Sequence, residues 1–296
     1  MDVKMPKPGK YVAAVSGGVD SMVLLDILAH APGLEFVVAH IDHGIRDDSI
    51  EDLELVRDIS NRLDLEFNSI SLNLGANTSE EAARKARYKF LHSVQKQHNA
   101  AAIITAHHQD DLVETAILNM LRGTGRKGLS ALADNSNVVR PLINVTKSEI
   151  LEYAKTNNIE WHEDSTNSEE KYLRNYVRSK LVSKLTNSQR QKLIKEILAA
   201  SEVNQQIDTL LVKQLHLNRY KNGISRQWFN GLPHDVAGET MAAWLRLNNL
   251  REFDKKTIQR LVVASKTSKN DKKQPIIRGS NLLISKEGLA LELAER

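Results

Sequence analysis

The sequence predicts an α/β fold: a doubly wound, mainly parallel sheet with helices on both faces, followed by a smaller α+β domain. Three observations predict it. In the first half, short apolar runs alternate with stretches of helical periodicity. A glycine-rich turn, Ser16-Gly17-Gly18, separates the first run from the first helical stretch. Beyond about residue 185 the alternation gives way to one long helical stretch, two shorter ones and a closing pair of apolar runs.

Each element follows from local spacing. Residues 11–15 read as a strand, and from Ser21 onward Met22, Leu25 and Leu28 recur at helical spacing until Pro32-Gly33 breaks the pattern. Residues 36–41, 66–72, 101–106 and 138–142 read as further strands. Helices are expected over 50–63, 79–98, 110–122 and 147–157. Leu193, Ile197 and Ala200 mark the long helix over 188–215, after which a looser region precedes helices at 237–248 and 255–265. Residues 275–293 read as a strand pair turning at Lys286-Glu287-Gly288. The expected organisation is a catalytic domain over 1–185, a helical linker over 186–217 and a small C-terminal domain over 218–296.

Composition narrows the chemistry. The chain has 296 residues and no cysteine, which excludes disulfides, thiolate nucleophiles and cysteine-held zinc or iron–sulfur centres. No apolar run approaches the roughly 18 residues of a membrane span, and the first ten residues lack a signal-peptide core, so a cytoplasmic protein is expected. The net charge of +4 says little by itself, but the positive charge is clustered. Residues 171–184 carry Lys171, Arg174, Arg178, Lys180 and Lys184 and no acid, and residues 251–278 carry nine Lys or Arg against three acids. Arg122, Arg126 and Lys127, around a glycine-rich stretch at 123–128, form a third basic segment suited to phosphates.

The loop Ser16-Gly17-Gly18-Val19-Asp20-Ser21 has the makings of an anion site. Its glycines let the backbone approach a ligand closely, its N–H groups point outward with the positive end of a helix dipole, and Ser16 and Ser21 can add hydroxyl donors. It lacks the Lys of a Walker-type loop. Two other segments end strands beside it. One is His40-Ile41-Asp42-His43-Gly44. The other runs from Thr105 to Thr115 and contains His107, His108, Asp111 and Glu114. Asp111 and Glu114, three apart, share a helix face, and His107 joins them if the helix extends back that far. Hard carboxylate oxygens beside a phosphate loop favour Mg2+ over zinc. On the helix before the fourth strand, Arg84 and Lys85 read equally well as a solvated basic face or as ligands, and Arg87 lies on the same helix.

The six-residue loop resembles the phosphate loop of the N-type ATP pyrophosphatases, or PP-loop proteins. SGGVDS, HIDHG, ARKARY, TAHHQDDLVET, NMLRGTGRKGLSAL, RPL and WHEDSTNSEEKYLRNYVR, in that order over about residues 11–185, resemble the tRNA(Ile)-lysidine synthetases within that group. Residues 230–293 resemble the family's first C-terminal domain more faintly, and the chain looks like a short form.

The resemblance implies a ligase that joins free lysine to carbon 2 of the wobble cytidine of tRNA(Ile) bearing a CAU anticodon. ATP activates the cytidine as an adenylate, and AMP and pyrophosphate leave. Residues 16–21 would hold ATP. Asp42, Arg87, His107, Asp111, Glu114, Arg174 and Arg178 would form the catalytic neighbourhood, with Asp111 and Glu114 as Mg2+ ligands or lysine contacts. Asp42 would hold or deprotonate the lysine ammonium, and Arg174 or Arg178 would steady phosphate or base. Arg122, Arg126, Lys127, Lys171, Lys180 and Lys184 would contact tRNA. A homodimer is left open. Three rivals share parts of this pattern. A cytidine thiolase would need cysteines the chain does not have, and an amidotransferase-type ligase would need an ammonia source. A non-catalytic binding protein would not need the acids and histidines beside the loop.

Overall fold

The computed structural model describes residues 1–42, 49–72, 78, 80–130, 132, 137–162, 173–251, 253–277 and 279–293. The chain divides into two compact units, Met1–Ser201 and Glu202–Arg296.

The first unit opens with β1 (Gly9–Ala14), α1 (Val19–Ala29), β2 (Leu34–Asp42), α2 (Ser49–Arg62), β3 (Phe67–Ser71), α3 (Glu80–Gln97) and β4 (Ala102–Ile104). It continues with α4 (Gln109–Leu121), α5 (Arg126–Leu129), β5 (Val138–Val139), α6 (Lys147–Thr156) and α7 (Leu173–Tyr176). A π-turn over Val177–Leu181 and a 3-10 turn over Val182–Lys184 lead into α8 (Asn187–Leu217).

The five strands form one parallel sheet in the order β3-β2-β1-β4-β5. Strand alternation sends its side chains to two layers. Tyr11, Ala13 and Val15 pack with Met22 and Leu25 of α1, Val56 of α2 and Ile150 of α6. Val12, Val37 and Ile103 point the other way, onto Leu91 and Val94 of α3. Helices therefore cover both faces, as the alternating pattern predicts. The strand order reverses between β1 and β4, which opens a crevice at their carboxyl ends, the ligand position in such sheets.

β5 is shorter than the expected 138–142. Pro141 has no N–H to donate to the ladder, so pairing ends after Val139 pairs with Ile104. The stretch at 123–128 is also more structured than a bare loop. Gly123, at φ 65°, follows the C-terminus of α4 and its N–H donates to Met120 O. Asn119 then donates to the Gly128 carbonyl at 2.7 Å across α5.

In the second unit, the remainder of α8 is followed by β6 (Arg219–Tyr220), β7 (Gly223–Ser225), α9 (Arg226–Gly231), α10 (His234–Leu247) and α11 (Lys255–Thr267). β8 (Lys272–Pro275), β9 (Asn281–Ile284) and β10 (Gly288–Glu292) complete an antiparallel sheet in the order β6-β7-β10-β9-β8. The expected strand pair is present as β9 and β10. Three further strands escape the pattern. β6 and β7 are two and three residues long around a turn in which Lys221 adopts φ 49°. β8 is a mostly exposed edge carrying Lys272 and Lys273, charges that protect a free sheet edge and mask its strand character. Arg226, 7% exposed, ties this unit together by donating to the carbonyls of Ser265, Ser268 and Ser285.

Candidate functional site

The loop after β1 is shaped from within. Gly17 adopts φ 92°, a conformation that favours glycine. Ser21 is buried, and its hydroxyl donates to Gly18 O at 2.9 Å while accepting the Ser16 N–H at 3.1 Å. Ser21 therefore holds the loop's shape. This corrects the expectation that it offers a free donor to a ligand: the hydroxyl proton is already committed to Gly18. Beneath the loop, the buried His40 places Nδ1 3.0 Å from the Val15 carbonyl, and burial lowers its pKa.

Residues distant in sequence brace the same loop. Lys147, at the start of α6, lies with Nζ 2.5 Å from Asp20 Oδ1. The His162 N–H donates to Gly17 O at 3.1 Å, and its ring Nδ1 lies 3.0 Å from Asp52 Oδ1 on α2. A β-carbon added at Gly17 would sit 3.1 Å from the Asp52 side chain. None of Lys147, His162 and Asp52 stands out in the sequence, because each acts by meeting a partner 110 or more residues away.

The second half of the site begins where β4 ends. Thr105 Oγ1 and His107 Nδ1 lie 2.8 Å apart. α4 starts only at Gln109, with His108 as its N-cap, so His107 belongs to the connection and not to the helix face shared by Asp111 and Glu114. The His108 N–H donates to Asp111 Oδ2 at 3.0 Å, while His108 Nδ1 accepts from the Asp110 N–H. This capping box explains why acids and histidines crowd one helical turn.

Asp111 and Glu114 are buried, 8% and 1% exposed. Glu114 accepts from Arg174 Nε through one oxygen and from Arg178 Nε, at 2.8 Å, through the other. Arg178 also reaches Asp111 Oδ1 at 3.2 Å. Arg174 and Arg178 are carried by α7 and the π-turn that follows it. Burial raises the Asp111 pKa, but the neighbouring imidazoles of His108 and His107, the His108 N–H and Arg178 together outweigh it and hold the group below its ordinary range. A second ion pair, Asp110 with Arg190, anchors the start of α8 to α4.

This pairing bears on the expected metal ligands. All four oxygens of Asp111 and Glu114 already accept a hydrogen bond, and two guanidinium charges balance the two carboxylates. A dication would have to displace an arginine, so the pair does not fit Mg2+ as arranged. Among the described residues no group of three His, Asp or Glu side chains has a ligand arrangement, which applies equally to zinc on His107, His108 and Asp111.

The remaining expected residues are spread more widely. Asp42, at the end of β2, accepts from the Ser71 hydroxyl at 2.8 Å. Arg87 lies on α3 with its guanidinium 5.9 Å from the Tyr88 ring centroid. Arg122, Lys180 and Lys184 are exposed, and Arg126 and Lys127 are half-buried on α5. Lys171, His43 and Gly44 lie outside the described residues.

His107 is strongly perturbed. Burial, with Arg140, Arg87 and Arg84 nearby, lowers its pKa to about 3 against the pull of Asp111. At neutral pH it is therefore an uncharged base with a nitrogen free of a proton. Between pH 6.5 and about 3 the unfolded chain takes up a proton that the folded chain refuses. Stability is lost as pH falls through that window and is unaffected by this group above it. His107→Gln should flatten the acid limb by about 1.4 kcal/mol per pH unit between about pH 6 and 4. Urea unfolding across that range checks it, and an unchanged slope refutes it.

A family model described as the PP-loop domain matches residues 3–185. Over 181 residues the chain is 39% identical to a tRNA(Ile)-lysidine synthase of Rickettsia bellii, covering 58% of this chain and 42% of that protein. A tRNA(Ile)-lysidine synthase of Thermosipho africanus is 39% identical over 183 residues, 58% of this chain and 43% of its own length. The match thus spans less than half the length of these curated relatives. Among solved structures, a U34-tRNA thiolase from Methanococcus maripaludis superposes with a TM-score of 0.56 at 17% identity. It covers 68% of this chain and 75% of that one, and shares the fold.

Proposed function

The chain belongs to the PP-loop domain family, and from that premise we propose that it adenylates the wobble cytidine of a tRNA(Ile) with a CAU anticodon and replaces the cytidine's O2 with lysine. The observation that carries this reading is the convergence of the Ser16–Ser21 loop and the Thr105–Glu114 segment on one crevice at the switch point of the sheet. Identity of 39% to proteins named tRNA(Ile)-lysidine synthase supports the choice of substrate.

The chemistry follows from the residues. An amine cannot expel O2 from cytidine directly, because an oxide is a poor leaving group. In the first step O2 attacks the α-phosphorus of ATP and pyrophosphate departs. The loop N–H groups and the start of α1 stabilise the charge on the departing phosphates. Lys147, released from Asp20, adds a cation at the same place. In the second step the lysine side-chain nitrogen attacks carbon 2 and AMP leaves with the former O2. The attacking ammonium must first lose a proton, and we assign Asp42 to receive it. Arg174 and Arg178, fixed by Glu114, hold guanidinium edges where phosphate or base would lie. Mg2+, where required, would enter with the nucleotide and be held by its phosphates, apart from Asp111 and Glu114. We assign tRNA-backbone contacts to Arg122, Arg126, Lys127, Lys171, Lys180 and Lys184, and read the protein as cytoplasmic.

The test is mass spectrometry of a tRNA(Ile) transcript incubated with protein and ATP. With lysine, the anticodon cytidine should gain the mass of one lysine less water. Without lysine, adenylated tRNA and free pyrophosphate should form. Lysine-dependent ATP–pyrophosphate exchange in the absence of tRNA would overturn base activation and point to an activated lysine carboxylate.

A further inference from the structure

One histidine beside the loop has no part in the mechanism above, although two separate contacts fix it there. His162 follows α6, and its backbone N–H donates to Gly17 O at 3.1 Å, inside the loop after β1. Its ring Nδ1 lies 3.0 Å from Asp52 Oδ1, in the first turn of α2. The Asp52 side chain packs on the same loop, since a β-carbon at Gly17 would meet it at 3.1 Å. Backbone and ring of His162 are therefore tied independently to one glycine of the loop.

The backbone bond alone could brace the loop, and any residue but proline at 162 would supply it. The ring contact does more. A carboxylate only accepts, so Nδ1 carries the proton shared with Asp52, which sets the tautomer and orientation of the imidazole. The Asp52 side chain is 15% exposed, whereas the imidazole is 41% exposed. Among the described residues Nε2 makes no hydrogen bond. A histidine oriented by a carboxylate, with its second nitrogen uncommitted, is prepared to meet a ligand. The loop also needs such a group. Its six residues bring one acid, Asp20, and no base, and Lys147 is paired with that acid. Because the His162 backbone is bonded to Gly17, Nε2 stays within one side-chain length of the loop.

We propose that His162 is a phosphate ligand of this site. Its imidazolium donates from Nδ1 to Asp52 and from Nε2 to an oxygen of the phosphate chain that lies on the loop and leaves as pyrophosphate. The proposal rests on the nucleotide half of the function proposed above. Asp52 acts through the histidine as a positioning residue, and the pair supplies a donor that the loop's own side chains do not.

The experiment measures binding without tRNA. Kd for inorganic pyrophosphate and for ATPγS is determined for the wild type, His162→Asn and His162→Gln, with thermal unfolding as a check on folding. The Asn amide nitrogen stands in for Nδ1 and keeps the bond to Asp52. The Gln amide nitrogen stands in for Nε2 and keeps a donor for phosphate. Both variants retain the backbone N–H. His162→Asn should weaken both ligands about tenfold, the size expected for one hydrogen bond to a charged group, and His162→Gln should recover part of that loss. The reverse order would overturn the ligand: His162→Asn within twofold of wild type and His162→Gln the weaker binder would mean that the ring only braces the loop through Asp52. Both folded variants within twofold of wild type would overturn it as well. A wild type that bound neither probe would overturn the nucleotide reading together with the ligand. A failure of the lysidine reading alone would show separately, as absence of the mass gain with binding intact.

Discussion

Glu114→Ala should lower the free energy of unfolding by about 3 kcal/mol and abolish the proposed tRNA adenylation. The carboxylate is 1% exposed and holds two arginines, and removing one member of a buried ion pair leaves the others uncompensated at a cost of roughly 3–5 kcal/mol. The side chains of Arg174 and Arg178 are 27% and 45% exposed, so water recovers part of that cost and the lower end applies. Activity suffers more, because both guanidinium groups lose the Glu114 contact that helps aim them. Glu114→Gln keeps the shape and one acceptor, and should fall between the two proteins in stability while remaining poorly active. Urea denaturation and single-turnover adenylation measure the two effects. A stability loss under about 1 kcal/mol would mean that the arginines are solvated rather than held by Glu114.

Gly17→Ala should cost activity far more than stability. At φ 92° a side chain is strained by about 1–3 kcal/mol. The new methyl group would also stand 3.1 Å from Asp52, which cannot retreat freely because His162 holds its carboxylate at 3.0 Å. The same His162 donates its N–H to the Gly17 carbonyl, so a shift at either end moves the loop. The loop's N–H groups must meet phosphate oxygens within a few tenths of an ångström to stabilise a developing charge. We expect kcat/KM to fall at least about a hundredfold while the unfolding free energy falls by only about 2 kcal/mol. Activity within fivefold of wild type would show that the glycine is required for neither the turn nor the ligand.

The parts of the molecule read correctly from sequence share one property: their determinants are neighbours in the chain. The run before Ser16, the two glycines and the helical spacing from Ser21 define a strand, turn and helix without reference to anything else. The same is true of the acids after β4, whose crowding into one turn is a capping box as well as a candidate site. Local reading went astray where an interaction from elsewhere competed. Asp111 and Glu114 look like an open pair of oxygen ligands until Arg174 and Arg178 arrive from 60 or more residues away. The short strands β6, β7 and β8 carry too few apolar residues to announce themselves, and exist because a neighbouring strand offers hydrogen bonds.

By itself the sequence determined the alternation of strands and helices, the phosphate-type loop, the histidine and carboxylate segment, and the exclusion of cysteine chemistry, because spacing and residue type suffice for each. Only the tertiary structure decided which of these meet. The sheet order β3-β2-β1-β4-β5 brings the end of β1 beside the end of β4, 90 residues on, and sets Lys147 on Asp20 across 127 residues. Those contacts depend on the order in which strands pair, a property of long-range packing that local periodicity does not encode.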